Sequence, residues 1–275
     1  MRQRALSAAI FVPPLLIVLA LGEPWFGALI AVFVAIAAWE TARLLRGAGY
    51  AVVPIVAIVG AVAVAADVAS ISQLRPYADL AVAAALVVAA FAVFLEADVK
   101  AGFGAWMATA FAAVYVGMLG ALVRLGEVAP PLAGTAPLAQ LGAQRGWILF
   151  VILLVWSFDT GAYCLGIALG KRKFLSHISP SKSYWGLWGG VVASTALAIA
   201  GLWALGQPPI LGFVLGPVIG LVAQAGDLAE SMLKRAAGAK DSGRLIPGHG
   251  GILDRVDSFI FAAPIAAIFV TALVR

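Results

Sequence analysis

Apolar residues run in blocks of about twenty along most of the chain, separated by short stretches that hold the charges. A block of that length is what an α-helix needs to cross about 30 Å of hydrocarbon at about 1.5 Å per residue. Nine blocks stand out, near 5–22, 25–45, 50–70, 78–96, 104–126, 147–169, 186–206, 209–233 and 252–274. None shows the alternation of a barrel strand, and lipid offers no partner to an unpaired backbone amide, so each is expected to be helical. The pattern predicts an all-α, polytopic transmembrane bundle of about nine spans, built as a single integral membrane domain over residues 1–275. Pro13-Pro14 falls inside the first block and is expected to kink it.

Composition agrees with this. Hydrophobic residues make up 63% of the chain, charged residues 11%, and the mean hydropathy is +1.05. A water-soluble domain carries about 25% charged residues, so this chain lacks the polar material to cover a solvated surface. The N-terminal Met1-Arg2-Gln3-Arg4 resembles the start of a signal peptide, but the apolar run after it is long for one and no small-x-small cleavage site follows. A retained first span is expected. The 30 glycines have a structural role as their first reading, since small residues let membrane helices approach closely. The lone cysteine, Cys164, excludes an intrachain disulfide and a cysteine-based zinc cluster.

The formal charge of +5 could suggest nucleic acid, but the basic residues sit in short loops between apolar blocks. That distribution fits membrane topology and anionic headgroups, and no nucleic-acid partner is expected. With the N-terminus in the cytoplasm, only Arg75, Arg124, Arg145 and Arg275 of the 18 Lys and Arg fall on the far side. An odd number of spans with the C-terminus outside follows. Two charged loops, near 170–185 and 234–252, then face the cytoplasm and are where chemistry is expected.

An acid near the centre of a span costs about 2.5–3.5 kcal/mol on insertion scales, so acids in such positions need a reason. Gln224, Asp227, Glu230, Ser231 and Lys234 recur at spacings of three and four, which puts them on one helical stripe. Asp254 and Asp257 repeat the three-residue spacing at the start of the last block. Between them, Lys234, Arg235, Lys240 and Arg244 surround a turn that includes Gly238, Gly243, Gly248, Gly250 and Gly251. Carboxylates beside cations and exposed amides suit a metal-bound polyphosphate: carboxylates hold Mg²⁺, while cations and N–H groups neutralise phosphate. The competing structural reading pairs Asp227 and Glu230 with Lys234 and Arg255 at the membrane surface. Trp156, Asp159 and Tyr163 share a face of the sixth block just before the first basic loop, a third acidic span end that favours the functional reading.

The run Ser231-x-Leu233-Lys234-Arg235-x4-Lys240-Asp241-x-Gly243-x2-Ile246-Pro247-x-His249-Gly250-Gly251-Ile252-x-Asp254-Arg255-Val256-Asp257, aligned with one residue of freedom before the proline, resembles the signature of phosphatidate cytidylyltransferases. Gln224-x-Gly226-Asp227-x2-Glu230-Ser231 and Trp156-x2-Asp159-Thr160-Gly161-Ala162-Tyr163 are similar to the same family. The likeness is strongest over 147–260, while residues 1–145 agree in general character. One stretch departs: where that family usually reads Ser-Pro-x-Lys-Thr-x-Glu-Gly, this chain has Ser179-Pro180-Ser181-Lys182-Ser183-Tyr184-Trp185-Gly186. Ser183 keeps a hydroxyl, but Trp185 replaces an acid, so no role of that acid carries over.

The resemblance implies that CTP and phosphatidic acid react to give CDP-diacylglycerol and pyrophosphate, with Mg²⁺ as cofactor. The metal ligands it implies are Asp227 and Asp254, with Glu230 and Asp257 in support. Lys182, Lys234, Arg235, Lys240 and Arg255 become candidates for the triphosphate or the lipid phosphate, and His249 for a phosphate contact. Ser179, Ser231, Asp159, Asp241, Gly250 and Gly251 complete the expected substrate-binding set, and His177 is left as a solvated loop residue. The implied location is a bacterial cytoplasmic membrane with the site facing the cytoplasm; a homodimer is left open. Competing readings are a CTP-dependent lipid kinase, cytidylyl transfer to another lipid phosphate, and a transporter or non-catalytic membrane scaffold.

Overall fold

The computed structural model describes residues 13–69, 75–94, 98–245 and 250–274. Among them there is no strand, only helices and one isolated antiparallel bridge between Lys173 and Ser183. The helices are α1 (13–21), α2 (Trp25–Gly47), α3 (Pro54–Ala69), α4 (Arg75–Val93), α5 (Val99–Gly117), α6 (Ala121–Val128), α7 (Ala143–Leu169), α8 (Tyr184–Ala204), α9 (Gly212–Ala236) and α10 (Leu253–Phe269). A 3₁₀ turn, Met118–Gly120, joins α5 to α6.

Six helical stretches are long and apolar enough to cross a bilayer: Trp25–Gly47, Val99–Val128, Ala143–Leu169, Tyr184–Ala204, Pro209–Ala236 and Leu253–Ala272. They mark the chain as an integral membrane protein; six such helices stand among the described residues, beside the nine spans expected for the whole chain. Length sets α3 and α4 apart from them. α3 has 16 residues, which at about 1.5 Å each falls short of the hydrocarbon core, and the apolar stretch Val82–Val93 of α4 is shorter still. Residues 5–12 of the first expected span lie outside the described residues, and Pro13 and Pro14 open its described part.

The contacts divide the chain into two compact units, and α9 and α10 each run from one into the other. The first unit comprises Met1–Arg124 and Met232–Ile260. Here α3 packs against α2, α4 and α5. Small residues set the approach, as expected where lipid is as apolar as the side chains and van der Waals fit must drive association. A Cβ at Gly60 would meet those of Ala113 and Ala85 at 3.0 and 3.3 Å, and one at Gly120 would overlap the Ala65 carbonyl. Thr109, on α5, donates to Ala105 O at 2.7 Å and accepts from Val53 N at 3.2 Å, so an amide at the start of α3 is satisfied by its neighbour.

The second unit comprises Leu125–Ser231 and Phe261–Arg275. Its centre is α7 against α8. The two helices touch backbone to backbone: a Cβ on Gly161 would overlap the Gly189 carbonyl, and a Cβ on Gly189 the Gly161 carbonyl. Ser194, on α8, donates to Gly216 O of α9 at 3.0 Å. Phe158 fills the space beside Gly190 and Gly220. These contacts fix the polar end of α7 and the start of α8 beside the stretch of α9 that carries Asp227.

Candidate active site

The signature segment folds locally for readable reasons. α9 stops where Gly238 adopts φ +65°; Ala239 N donates to Lys234 O at 2.8 Å and Gly238 N to Arg235 O at 3.0 Å. This pattern closes the helix with a left-handed glycine. α10 begins at Leu253 without a polar residue at the position before it, since Ile252 stands there.

Asp254, in the first turn of α10, gathers the turn around itself. Its Oδ1 accepts from Lys234 Nζ at 2.6 Å; its Oδ2 accepts from Ser242 Oγ at 2.7 Å, Gly251 N at 2.8 Å and Ser242 N at 2.9 Å. The side chains of Lys234 and Asp254 are only 13% and 8% exposed, so this pair is sheltered from screening. Gly250 has φ +81°, and a Cβ there would overlap Asp254 Oδ2, so a side chain is excluded on both counts.

Two residues of α2 reach the same turn. Glu40, fully buried, accepts from Leu253 N at 2.7 Å, and its Oε2 lies 3.2 Å from the Ser242 hydroxyl oxygen. Arg43 donates to the Ser242 carbonyl and packs over the Trp39 ring at 5.2 Å. Arg235, Lys240, Asp241, Arg244 and Arg255 are exposed around this network, and His249 lies outside the described residues.

In the second unit, Asp227 is ion-paired with Lys182 and accepts from Gln224 Nε2 at 3.2 Å. Lys182 is carried by a short basic loop that is itself built up. Lys173 donates to Ser181 O at 3.3 Å, Ser179 Oγ lies 3.4 Å from Ser181 Oγ, and Arg172 stacks over Tyr184 at 5.1 Å. Ser183 caps α8, accepting from Gly186 N at 3.1 Å. Trp185 stands half exposed in the first turn of α8. Asp159 and Tyr163 are exposed on α7, with Trp156 half-buried on the same face.

Asp227 and Lys234 each take a partner other than the one expected for them at the membrane surface. Within the second unit Asp227 takes Lys182, and within the first Lys234 takes Asp254. Glu230 is fully buried one turn after Asp227 on α9, and Ser231 follows it, half-buried. Asp257 is buried on α10, its Oδ1 accepting from Ser258 N at 2.7 Å. Within the second unit, Asp227 and Glu230 offer carboxylate oxygens one turn apart on α9, the donor chemistry of a hard divalent cation. Three residues that hold this site were not singled out in the sequence: Glu40, Arg43 and Ser242. The last falls on a variable position of the signature.

Sheltered lysine–carboxylate pairs at the ends of membrane-length helices define a polytopic membrane protein with charge held inside each of its two units. The chain belongs to the Cytidylyltransferase family, which it matches over residues 2–273. Among its relatives is a protein of Synechocystis named phosphatidate cytidylyltransferase, 51% identical over 121 residues, 43% of this chain and 41% of that protein. Proteins of the same name from Haemophilus influenzae and Staphylococcus aureus are 45% identical over 130 residues and 46% identical over 121. Those matches take in 44% of this chain and 44% of the first, and 43% of this chain and 46% of the second. The chain thus matches less than half of the length of each of these relatives.

Proposed function

We propose that the protein transfers the cytidylyl group of CTP to phosphatidic acid, forming CDP-diacylglycerol and releasing pyrophosphate. The observation that carries this reading is the hydrogen-bonded network of Lys234, Ser242, Gly251 and Asp254, built within the same 231–257 segment that resembles the family signature. The names of the relatives support the substrate pair.

An oxygen of the lipid phosphate forms the new bond to the α-phosphorus of CTP. The bond from that phosphorus to the α–β bridging oxygen breaks, and its electron pair leaves with pyrophosphate. The nucleophile is already anionic, so the protein needs to position two polyanions and neutralise their charge rather than abstract a proton. Lys182, Lys234, Arg235, Lys240 and Arg255 are the cations assigned to that task. Asp227 and Glu230 would contribute ligands to Mg²⁺, which when bound would neutralise phosphate charge and stabilise the leaving group. Asp254 has another role in this proposal. Its oxygens already accept four hydrogen bonds from Lys234, Ser242 and Gly251, so it organises the turn instead of ligating the metal.

The expected product assay is direct: purified protein with Mg²⁺, CTP and phosphatidic acid forms CDP-diacylglycerol, and no such lipid forms when CTP is left out. Failure to form it with both substrates present overturns the reading. The proposal also places the two basic loops on the cytoplasmic side of a bacterial cytoplasmic membrane and the C-terminus outside. A reporter fused at the C-terminus is expected to be active only on the non-cytoplasmic side; a cytoplasmic signal would reverse the assignment of the loops.

A further inference from the structure

We propose that Glu40, in the apolar helix α2, is a positioning residue for the reaction: its carboxylate caps α10 and, through Ser242, sets the geometry of Asp254 and Lys234. This rests on reading 231–257 as the segment that handles CTP. Three observations within the first unit carry it.

Leu253 N, the first amide of α10, donates across the unit to Glu40 Oε2 at 2.7 Å. The carboxyl of a distant helix thus supplies the acceptor that a helix N-terminus needs. Ser242 Oγ lies 3.2 Å from Glu40 Oε2 and 2.7 Å from Asp254 Oδ2, so one hydroxyl links the buried glutamate to the residue that holds Lys234. Third, the glycines of the turn make room for this side chain. A Cβ on Gly251 would overlap all three atoms of the Glu40 carboxyl group, and one on Gly243 would overlap Glu40 Oε1. Two glycines of the signature run are therefore explained by the carboxyl they must admit. Burying a glutamate in a membrane helix is costly, and those contacts are what this one returns.

The experiment uses the full chain in detergent micelles as wild type, Glu40→Ala, Glu40→Gln and Ser242→Ala. It reads kcat and KM for CTP, and separately the rate of trypsin cleavage after Lys240 and Arg244, which needs no turnover. Glu40→Ala is expected to lower kcat about 100-fold, as misplacement by an ångström does, with a smaller change in KM. It should also speed cleavage of the turn. Glu40→Gln keeps an acceptor for Leu253 N and lacks only the charge, so kcat and cleavage return to within about fivefold of wild type. Ser242→Ala lowers kcat and adds little to Glu40→Ala, because both cut one path.

Wild-type kcat in Glu40→Ala, faster cleavage with unchanged kcat, or a Glu40→Gln protein no better than Glu40→Ala would each overturn the proposal. If Glu40→Ala does not accumulate, Ser242→Ala decides, and wild-type kcat and cleavage there overturn it. Should the wild type form no CDP-diacylglycerol, the catalytic reading falls, while the cleavage rates still test whether Glu40 holds the turn.

Discussion

Asp227→Asn is expected to lower kcat by about a thousandfold while the protein still inserts and folds. Asparagine preserves the size of the side chain and can still accept from Gln224, whose Nε2 lies 3.2 Å from Asp227 Oδ2. What it removes is the charge that pairs with Lys182 and that a divalent ligand set requires. The loss should therefore appear in turnover and in a raised Mg²⁺ requirement, with little change in thermal stability, because the Lys182–Asp227 pair is a quarter exposed on each side. Titrating activity against Mg²⁺ checks this. Full activity at an unchanged Mg²⁺ demand would remove Asp227 from the proposed metal ligands.

Asp254→Asn is expected to fail differently, losing activity and also about 3 kcal/mol of stability, the scale for stripping a buried charge of its partner. No orientation of the amide suits the site. With its oxygen toward Ser242 N, Ser242 Oγ and Gly251 N, its NH₂ group points at the Lys234 ammonium; reversed, the NH₂ meets three donors. Thermal unfolding in detergent, measured beside Asp227→Asn, separates the two. An Asp254→Asn protein with the melting temperature of the wild type would contradict the role of Asp254 as the organiser of the turn.

The contrast between these two acids shows where sequence reasoning stopped. Both could be picked out as acids near span ends beside a cationic turn, and both were expected as metal ligands. Only the fold shows Asp254 accepting one bond from Lys234 and three from its own turn, while Asp227 faces Lys182. Periodicity along α9 placed Gln224, Asp227, Glu230 and Lys234 on one stripe, and this was legible because helical geometry is local. The partners were not, since Lys182 and Asp227 are brought together by the packing of α8 on α9.

Glu40 is the larger omission. It sits in a helix read as an ordinary apolar span, and its partners Ser242 and Leu253 are separated from it by 202 and 213 positions. A signal was present, however. A glutamate in the midst of about twenty apolar residues carries the same insertion cost that singled out the acids of the C-terminal half. Span lengths are another limit of the sequence: hydropathy marks α3 as readily as α2, and only the helix ends show that α3 stops at 16 residues.

The most direct test of the central claim follows the phosphorus of CTP. Purified protein is supplied with phosphatidic acid, Mg²⁺ and CTP labelled at either the α- or the γ-phosphate, and the lipid and aqueous products are separated. Attack of the lipid phosphate on the α-phosphorus puts α-label into the lipid and releases γ-label as pyrophosphate, which is the result predicted. Label from the γ-position in the lipid, with CDP left in solution, is the signature of a kinase and would contradict the cytidylyl-transfer account.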